Sequence, residues 1–319
     1  MPLDLRPLSL GELLDRSFSL YRRHFKTFVA IMAPPSAIAF GAAVVVQFMQ
    51  EAMLTATRAG ADADINRLAV VMMASVAAMF ALMLAYWVAY MVALGATTAA
   101  VSELYLERAV TAAAAYRTMR GRIGALVALL VLIGVRFLGL AVIAGVLMAA
   151  AGMSFEGPAG AIGAVLVLVF LLAGAIVAFF MMLRYSLSVP ALVLERVRAS
   201  DAIRRSIELT RGNFLRVLVL IVFATLIAYV TLILFQGPFA MGAMLAGPGT
   251  AAAFWLNLAG ALTGAVAGAI SGPIMIVALA LLYYDARIRQ EGLDLQIMMA
   301  ALDPPPPSAT PAPSAALPG

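Results

Sequence analysis

The chain has 319 residues, 64% of them hydrophobic and 12% charged, with mean hydropathy +1.03 and net charge +5. Soluble domains are roughly 45–50% apolar and about a quarter charged, and the apolar runs of this chain, more than 20 residues long, are long enough to cross a hydrocarbon layer of about 30 Å. These figures exclude a water-soluble fold, and the absence of cysteine excludes disulfides, thiolate metal sites and a Cys nucleophile.

In chain order, "LSLGELL" opens a helix. Ser9 and Glu12 have the spacing of a capping box, with Leu8 and Leu13 placed as a hydrophobic staple. From Leu10 to Phe28 apolar residues recur at helical spacing, while Glu12, Asp15, Arg16, Arg22, Arg23 and Lys26 occupy the other face. Such a helix beside a membrane lies in the interface, apolar side toward the acyl chains and arginines toward phosphates. Two alternatives stand for this elbow, a simple depth anchor or a specific docking surface for anionic lipid or a partner. The first 26 residues contain no apolar core and cleavage site of the signal-peptide kind.

Six spans follow, over Phe28–Met49, Leu68–Thr98, Gly124–Ala151, Gly160–Leu187, Leu215–Phe235 and Leu256–Tyr284. Pro34, Pro35, Pro190 and Pro273 are positioned to bend their spans. Eighteen of the 21 basic residues fall before the first span, after the last, or in the second and fourth loops; Arg58 and Arg67 lie on the other side and Arg136 within the third span. The positive-inside rule then places both termini in the cytoplasm. The heavy use of Arg, Ala and Gly points to a bacterial source and hence to the inner membrane. Arginines flanking apolar spans favour anionic headgroups over nucleic acid as partner.

The decamer "RSFSLYRRHF", Arg16–Phe25, reappears as "RSIELTRGNF", Arg205–Phe214, identical at five positions and again just before a span. Ser200 is placed to cap this second copy, and a weaker third copy runs from Thr111 to Arg122. The span exits "LYLERA", "LVLERV" and "LYYDAR" also correspond. The reading is an all-α integral membrane protein in which residues 1–302 form one domain of three parallel units, about 8–108, 109–198 and 199–290. Each unit is an amphipathic elbow and a two-helix hairpin. Residues 303–319, "DPPPPSATPAPSAALPG", form a Pro- and Ala-rich tail that cannot bury a core and reads as disordered and cytoplasmic.

"PLSLGELLDRSFSLYRRHF" (Pro7–Phe25), "PALVLERVRASDAIRRSIELTRGNFLRVL" (Pro190–Leu218) and "LLYYDARIRQEGLDLQ" (Leu281–Gln296) resemble the membrane-domain family of glycerophosphoryl diester phosphodiesterase. The resemblance runs nearly the whole chain to about Met299 and implies a bacterial multi-pass membrane domain, sometimes fused to a soluble phosphodiesterase. No stretch of this chain is polar and long enough to be that soluble part.

Chemistry-bearing residues are few. The chain has one histidine, His24, in the first elbow, where it reads as a headgroup-level residue or, alternatively, a pH sensor. Metalloprotease, nucleophile-elbow and Walker A motifs are absent. No Asp or Glu falls inside the spans as bounded above, so a carboxylate proton relay has no candidate. Arg136, in "LIGVRFLGL", either snorkels toward the cytoplasm or faces inward to hold an anionic lipid or substrate, with Gln47, Asn257, Tyr86 or Tyr90 as companions. Gly260, Gly264, Gly268 and Gly272 line one face of the sixth span, for helix packing or as a ligand groove beside Pro273.

The chain therefore reads as a non-enzymatic inner-membrane protein without cofactor or metal. It is a scaffold or accessory subunit engaging anionic lipids through Arg16, Arg22, Arg23, Arg136, Arg204, Arg205 and Arg211, with a protein partner or second copy as a further option. The alternative is a transporter or lipid-handling permease with Arg136 facing an intramembrane cavity.

Overall fold

In the computed structural model, residues 8–59, 65–105, 108–152 and 158–291 are described, and the regular structure among them is helical throughout. The tail at 303–319 lies outside the described residues, as do Leu106 and Glu107 of the first exit motif. Three times the chain runs short helix, long helix, long helix: α1 (Leu10–Arg23), α2 (Phe25–Ala59) and α3 (Ile65–Tyr105); α4 (Ala112–Met119), α5 (Ile123–Gly152) and α6 (Pro158–Tyr185), with the brief α7 (Ser188–Leu194); then α8 (Ala199–Arg211), α9 (Phe214–Ala246) and α10 (Ala251–Glu291). Six helical stretches, one on each expected span, are long and apolar enough to cross a membrane.

These stretches outrun the expected spans. The α2 helix has 35 residues and α3 and α10 have 41 each. At 1.5 Å per residue α10 is about 60 Å long, twice the hydrocarbon thickness. Polar residues that hydropathy assigns to loops, such as Glu51, Glu103 and Asp285, are thereby helical. The α2, α9 and α10 helices continue through Pro34, Pro35, Pro238 and Pro273. At Pro190 the span does not bend but breaks: α6 stops at Tyr185 and Pro190 falls in the first turn of α7, where its missing N–H has no acceptor to lose.

The capping box is present in both arms: Glu12 N–H donates to Ser9 Oγ at 3.3 Å and Ser9 N–H donates to Glu12 Oε2 at 2.8 Å. Thr111 Oγ1 likewise accepts from Ala114 N–H at 3.2 Å and starts α4. Ser200 does not cap α8. The helix begins one residue earlier, at Ala199, with Arg198 in the cap position and no side-chain bond, so Ser200 falls inside the first turn. Arg196, before it, has φ +58°. The two decamers break at matching points: His24 ends α1 before Phe25 starts α2, and Asn213 precedes Phe214 at the start of α9.

The apolar faces of the short helices are covered by protein, not left for lipid. On α1, Leu13, Ser17 and Tyr21 are buried, the helix lying against α10. Tyr21 Oη donates to the Ile270 carbonyl at 2.6 Å, and burial pushes its pKa up to about 12. On α8, Ala202, Ile203, Ser206 and Leu209 are buried. Tyr116 of α4 donates to the Ile31 carbonyl at 2.5 Å. The short helices thus clasp one end of the bundle, termed basal below.

The core sits at that basal end. From Pro273 to Ala286, α10 is buried on nearly all sides, as its near-continuous apolar run demands. It packs against the Ala-rich half of α3, where Gly95 lets neighbours approach: a Cβ there would lie 2.9 Å from Met119 Sδ and 3.2 Å from Leu126 Cδ1. Toward the distal end the helices expose large apolar side chains, above all along α5 and α6, where Val142, Ile143, Leu168 and Leu172 are among those exposed.

Candidate functional site

Three adjoining cavities of about 250, 510 and 710 Å³ lie between α2, α3, α9 and α10. The innermost reaches Met32 and Gly272; the outermost ends at Thr57 and Pro248, under the distal turns. The inner two share Ala39, Ala43, Tyr86, Gln236 and Ala261, and the outer two share Gln47 and Asn257. They form one crevice. From Met32 to Thr57, 25 residues of α2 correspond to about 37 Å along its axis, so the crevice runs most of the way through the expected bilayer. Met79, Met83 and Asn257 line it and are exposed.

Small residues open this space. Over the inner two cavities Ala39, Ala42 and Ala43 of α2 and Ala261, Gly264, Ala265, Gly268 and Gly272 of α10 keep the walls back. A Cβ on Gly260 would meet Phe239 Cβ at 3.2 Å and one on Gly264 would meet Gln236 Oε1 at 2.9 Å, so these two let α9 close on α10. Gly268 and Gly272 have more room, the nearest atoms being Ser36 Oγ at 3.9 Å and Met32 Sδ at 3.7 Å, and both line the innermost cavity. Gly264 lines that cavity as well, so three of the four glycines border it and Gly260 does not.

The polar groups in the crevice are uncharged over its inner two cavities: Gln47, Gln236, Asn257, Tyr86 and Tyr90, with Ser36 below. Gln47 is only 9% exposed. None of the three amides makes a hydrogen bond to another described residue. Tyr86 and Tyr90 stack with ring centroids 5.7 Å apart. At the distal mouth Glu51 lines the outer cavity, and Arg58 turns away to donate to the Pro248 and Gly249 carbonyls at 3.1 and 3.3 Å.

The basal end is closed by ion pairs. Asp285, 2% exposed, accepts from Leu8 N–H at 2.7 Å, from Arg216 Nη1 at 2.7 Å and from Arg289 Nε at 2.9 Å. Both arginines also donate to the Leu8 carbonyl. Asp285 follows the last residue of the expected sixth span and is helical because α10 continues to Glu291. Beside it Arg205 pairs with Glu195 at 2.9 Å and with Glu291, while Tyr283 donates to Glu195. Burial pulls the Arg205 pKa down, but the hydrogen bonds and charges of Glu195 and Glu291 outweigh it and hold the pKa above its ordinary value. Arg122 donates to the Leu192 and Val193 carbonyls at 3.0 and 3.2 Å, closing the end of α7.

The nominated arginines do not converge. Arg22, Arg23, Arg204 and Arg211 are exposed at the basal end and Arg16 is half-buried there. Arg204 lies 3.7 Å from Asp201 and 3.9 Å from Glu208. Arg205 belongs to the ion-pair cluster instead of presenting a free cation. Arg136 is exposed on α5, donates to the Leu132 carbonyl at 2.9 Å and lies 5.9 Å from the centroid of Tyr185. It lines none of the three cavities, which corrects the inward-facing alternative. Its side chain reaches back along α5 toward the basal end, the snorkelling geometry. Its four suggested companions Gln47, Asn257, Tyr86 and Tyr90 do come together, around Gln236, which sequence reasoning missed. The signal for Gln236 was a lone amide at the edge of the apolar fifth span.

Among the described residues no group of three His, Cys, Asp or Glu side chains is placed to hold a metal ion. No curated protein and no solved structure matches the chain. Of the three segments that carried the resemblance, Pro190–Leu218 and Leu281–Gln296 fall within the region matched by a family model, while Pro7–Phe25 lies outside it. That region is residues 162–300, over which the chain matches the membrane domain of glycerophosphoryl diester phosphodiesterase.

Proposed function

We propose that this protein is a non-enzymatic bacterial inner-membrane component that takes up a membrane amphiphile in the crevice between α2, α3, α9 and α10. The observation that carries this reading is the convergence of the Gln47, Gln236 and Asn257 amides with Tyr86 on one cavity whose remaining wall is Ala, Val, Leu and Met. Ligand sites are mostly apolar with a few convergent polar groups and volumes of roughly 300–1,000 Å³. The apolar walls suit acyl chains, and the amides lie nearer the distal end, where a lipid's polar part would sit. Amides hydrogen-bond but do not exchange protons near neutral pH, which favours binding over catalysis. The reading replaces Arg136 by the amide cluster as the centre of a lipid-handling role.

The scaffold reading has its own support in the exposed Arg22, Arg23, Arg117, Arg120 and Arg211 at the basal end, where anionic headgroups would meet them if both termini are cytoplasmic. In this account the three short helices are elbows of a threefold repeat. Three of the five identical positions share burial, Ser17 with Ser206 inside, Arg22 with Arg211 outside and Arg16 with Arg205 between, while Leu20/Leu209 and Phe25/Phe214 differ.

The test is purification with native lipids followed by mass spectrometry of what remains bound. Ala43→Phe and Ala261→Phe fill the crevice with an aromatic ring; at least a fivefold loss of the co-purifying amphiphile is expected in each, and no loss in Arg136→Ala. An unchanged complement in both filled variants would refute the reading.

A further inference from the structure

We infer that the crevice selects an amphiphile with an uncharged, hydroxyl-bearing head, of the diacylglycerol class, over phosphate-bearing lipids, and that Gln47 is the residue that makes the choice. The inference rests on the crevice being the working site and adds the chemistry of its occupant.

Three observations carry it. First, among the described residues no Lys or Arg side chain lines any of the three cavities, and the one charged group that does, Glu51 at the mouth, is an anion. A phosphate drawn into this low-dielectric space would lose its hydration with no cation to receive it. Arg58, the nearest guanidinium to the mouth, is held by the Pro248 and Gly249 carbonyls. Second, Gln47 and Asn257 each line both larger cavities, and Gln236 lines both inner ones, so the amides surround one stretch of the crevice. An amide carries two donors and an acceptor oxygen. A hydroxyl, itself donor and acceptor, satisfies both halves; a phosphodiester, acceptor only, leaves each amide oxygen facing an anion. Third, Gln47 is nine-tenths buried with no hydrogen-bond partner among the described residues. Its amide opens on the crevice instead of being sealed in protein, so a hydroxyl placed beside it supplies the partner that the protein does not. Below the amides the walls are mainly apolar, with Ala39, Ala43, Ala261, Gly268 and Met32 beside Tyr86, Tyr90 and Ser36, as acyl chains require.

The experiment uses the full chain in phosphatidylcholine nanodiscs with photoactivatable diacylglycerol and phosphatidic acid of matched chains, the cross-links being mapped by mass spectrometry. The diacylglycerol probe is expected to label the peptides containing Gln47 and Asn257 at least tenfold more than the phosphatidic acid probe. Gln47→Leu is expected to cut that labelling at least fivefold while leaving the thermal midpoint of the ligand-free protein unchanged or higher, because it removes an unpaired polar group. Equal or stronger labelling by phosphatidic acid at these peptides overturns the selectivity and leaves the crevice reading standing. Labelling of these peptides by neither probe above the level on the outer faces of α5 and α6 overturns both. An unchanged ratio in Gln47→Leu, or a lowered midpoint, overturns the role of Gln47; Gln236→Leu, tested alongside, must then also leave the ratio unchanged for the amide cluster as a whole to be dismissed.

Discussion

Asp285 shows how much one side chain settles. Its carboxylate, wholly buried, gathers the Leu8 N–H, Arg216 and Arg289, and so joins the start of α1 to α9 and α10. Breaking a buried pair from one side leaves uncompensated charge and costs about 3–5 kcal/mol. Both guanidiniums reach solvent, at 26% and 32% exposure, so Asp285→Ala is expected at the low end, about 3 kcal/mol. Asp285→Asn, which keeps an acceptor for Leu8 N–H, should cost less. Thermal unfolding of the detergent-solubilised protein reads both, and changes below about 0.5 kcal/mol in each, the scale of an ordinary surface substitution, would remove Asp285 from this role. From sequence Asp285 read as an exit residue, since hydropathy averages do not register a carboxylate buried between Arg289 one turn on and Arg216 on another helix.

Among the elements, the distal turns control the mouth of the crevice. Arg58 ties the last turn of α2 to the α9–α10 turn through the Pro248 and Gly249 carbonyls. Gly249 there has φ +71°, and a Cβ on it would overlap the Arg58 guanidinium. Gly249→Ala therefore combines a left-handed backbone, worth about 1–2 kcal/mol for a residue with Cβ, with loss of the Arg58 contact. Arg58→Ala loses the contact only. Hydrogen exchange of residues 247–250 is expected to rise roughly fivefold in Arg58→Ala and more in Gly249→Ala, with the basal helices unaffected. Equal exchange in wild type and Arg58→Ala would mean that the turn holds itself. The short helices carry a different lesson. Their amphipathic pattern is plain in the sequence, but whether the apolar side meets lipid or protein is not, because both are apolar surfaces. For α1 and α8 the protein supplies it.

Over the whole molecule, Arg58 and Arg205 lie at opposite ends of α10, one beside its first turn and the other paired with Glu291 at its last. In a chain without cysteine, single substitutions report sidedness cleanly. With cytoplasmic termini, Arg58→Cys should react with an impermeant maleimide in intact cells, and Arg22→Cys and Arg204→Cys only after permeabilisation. Labelling of Arg58→Cys and Arg204→Cys from one side would overturn the six-span arrangement; reversed labelling would invert it.

The amino-acid sequence by itself determined the class of the protein, the number of its long apolar helices, the capped start of α1 and the joints before Phe25 and Phe214. All of these depend on local composition and spacing, and a bilayer requires backbone hydrogen bonds to close within each helix. Tertiary structure alone decided that Gln47, Gln236 and Asn257 share a crevice, that Asp285 and Arg205 are inside ion clusters, and that Arg136 stands apart from all of them. Those facts depend on which helix faces are turned toward one another across nearly two hundred residues of chain, and in a sequence where almost every face is apolar, periodicity has no contrast from which to read that choice.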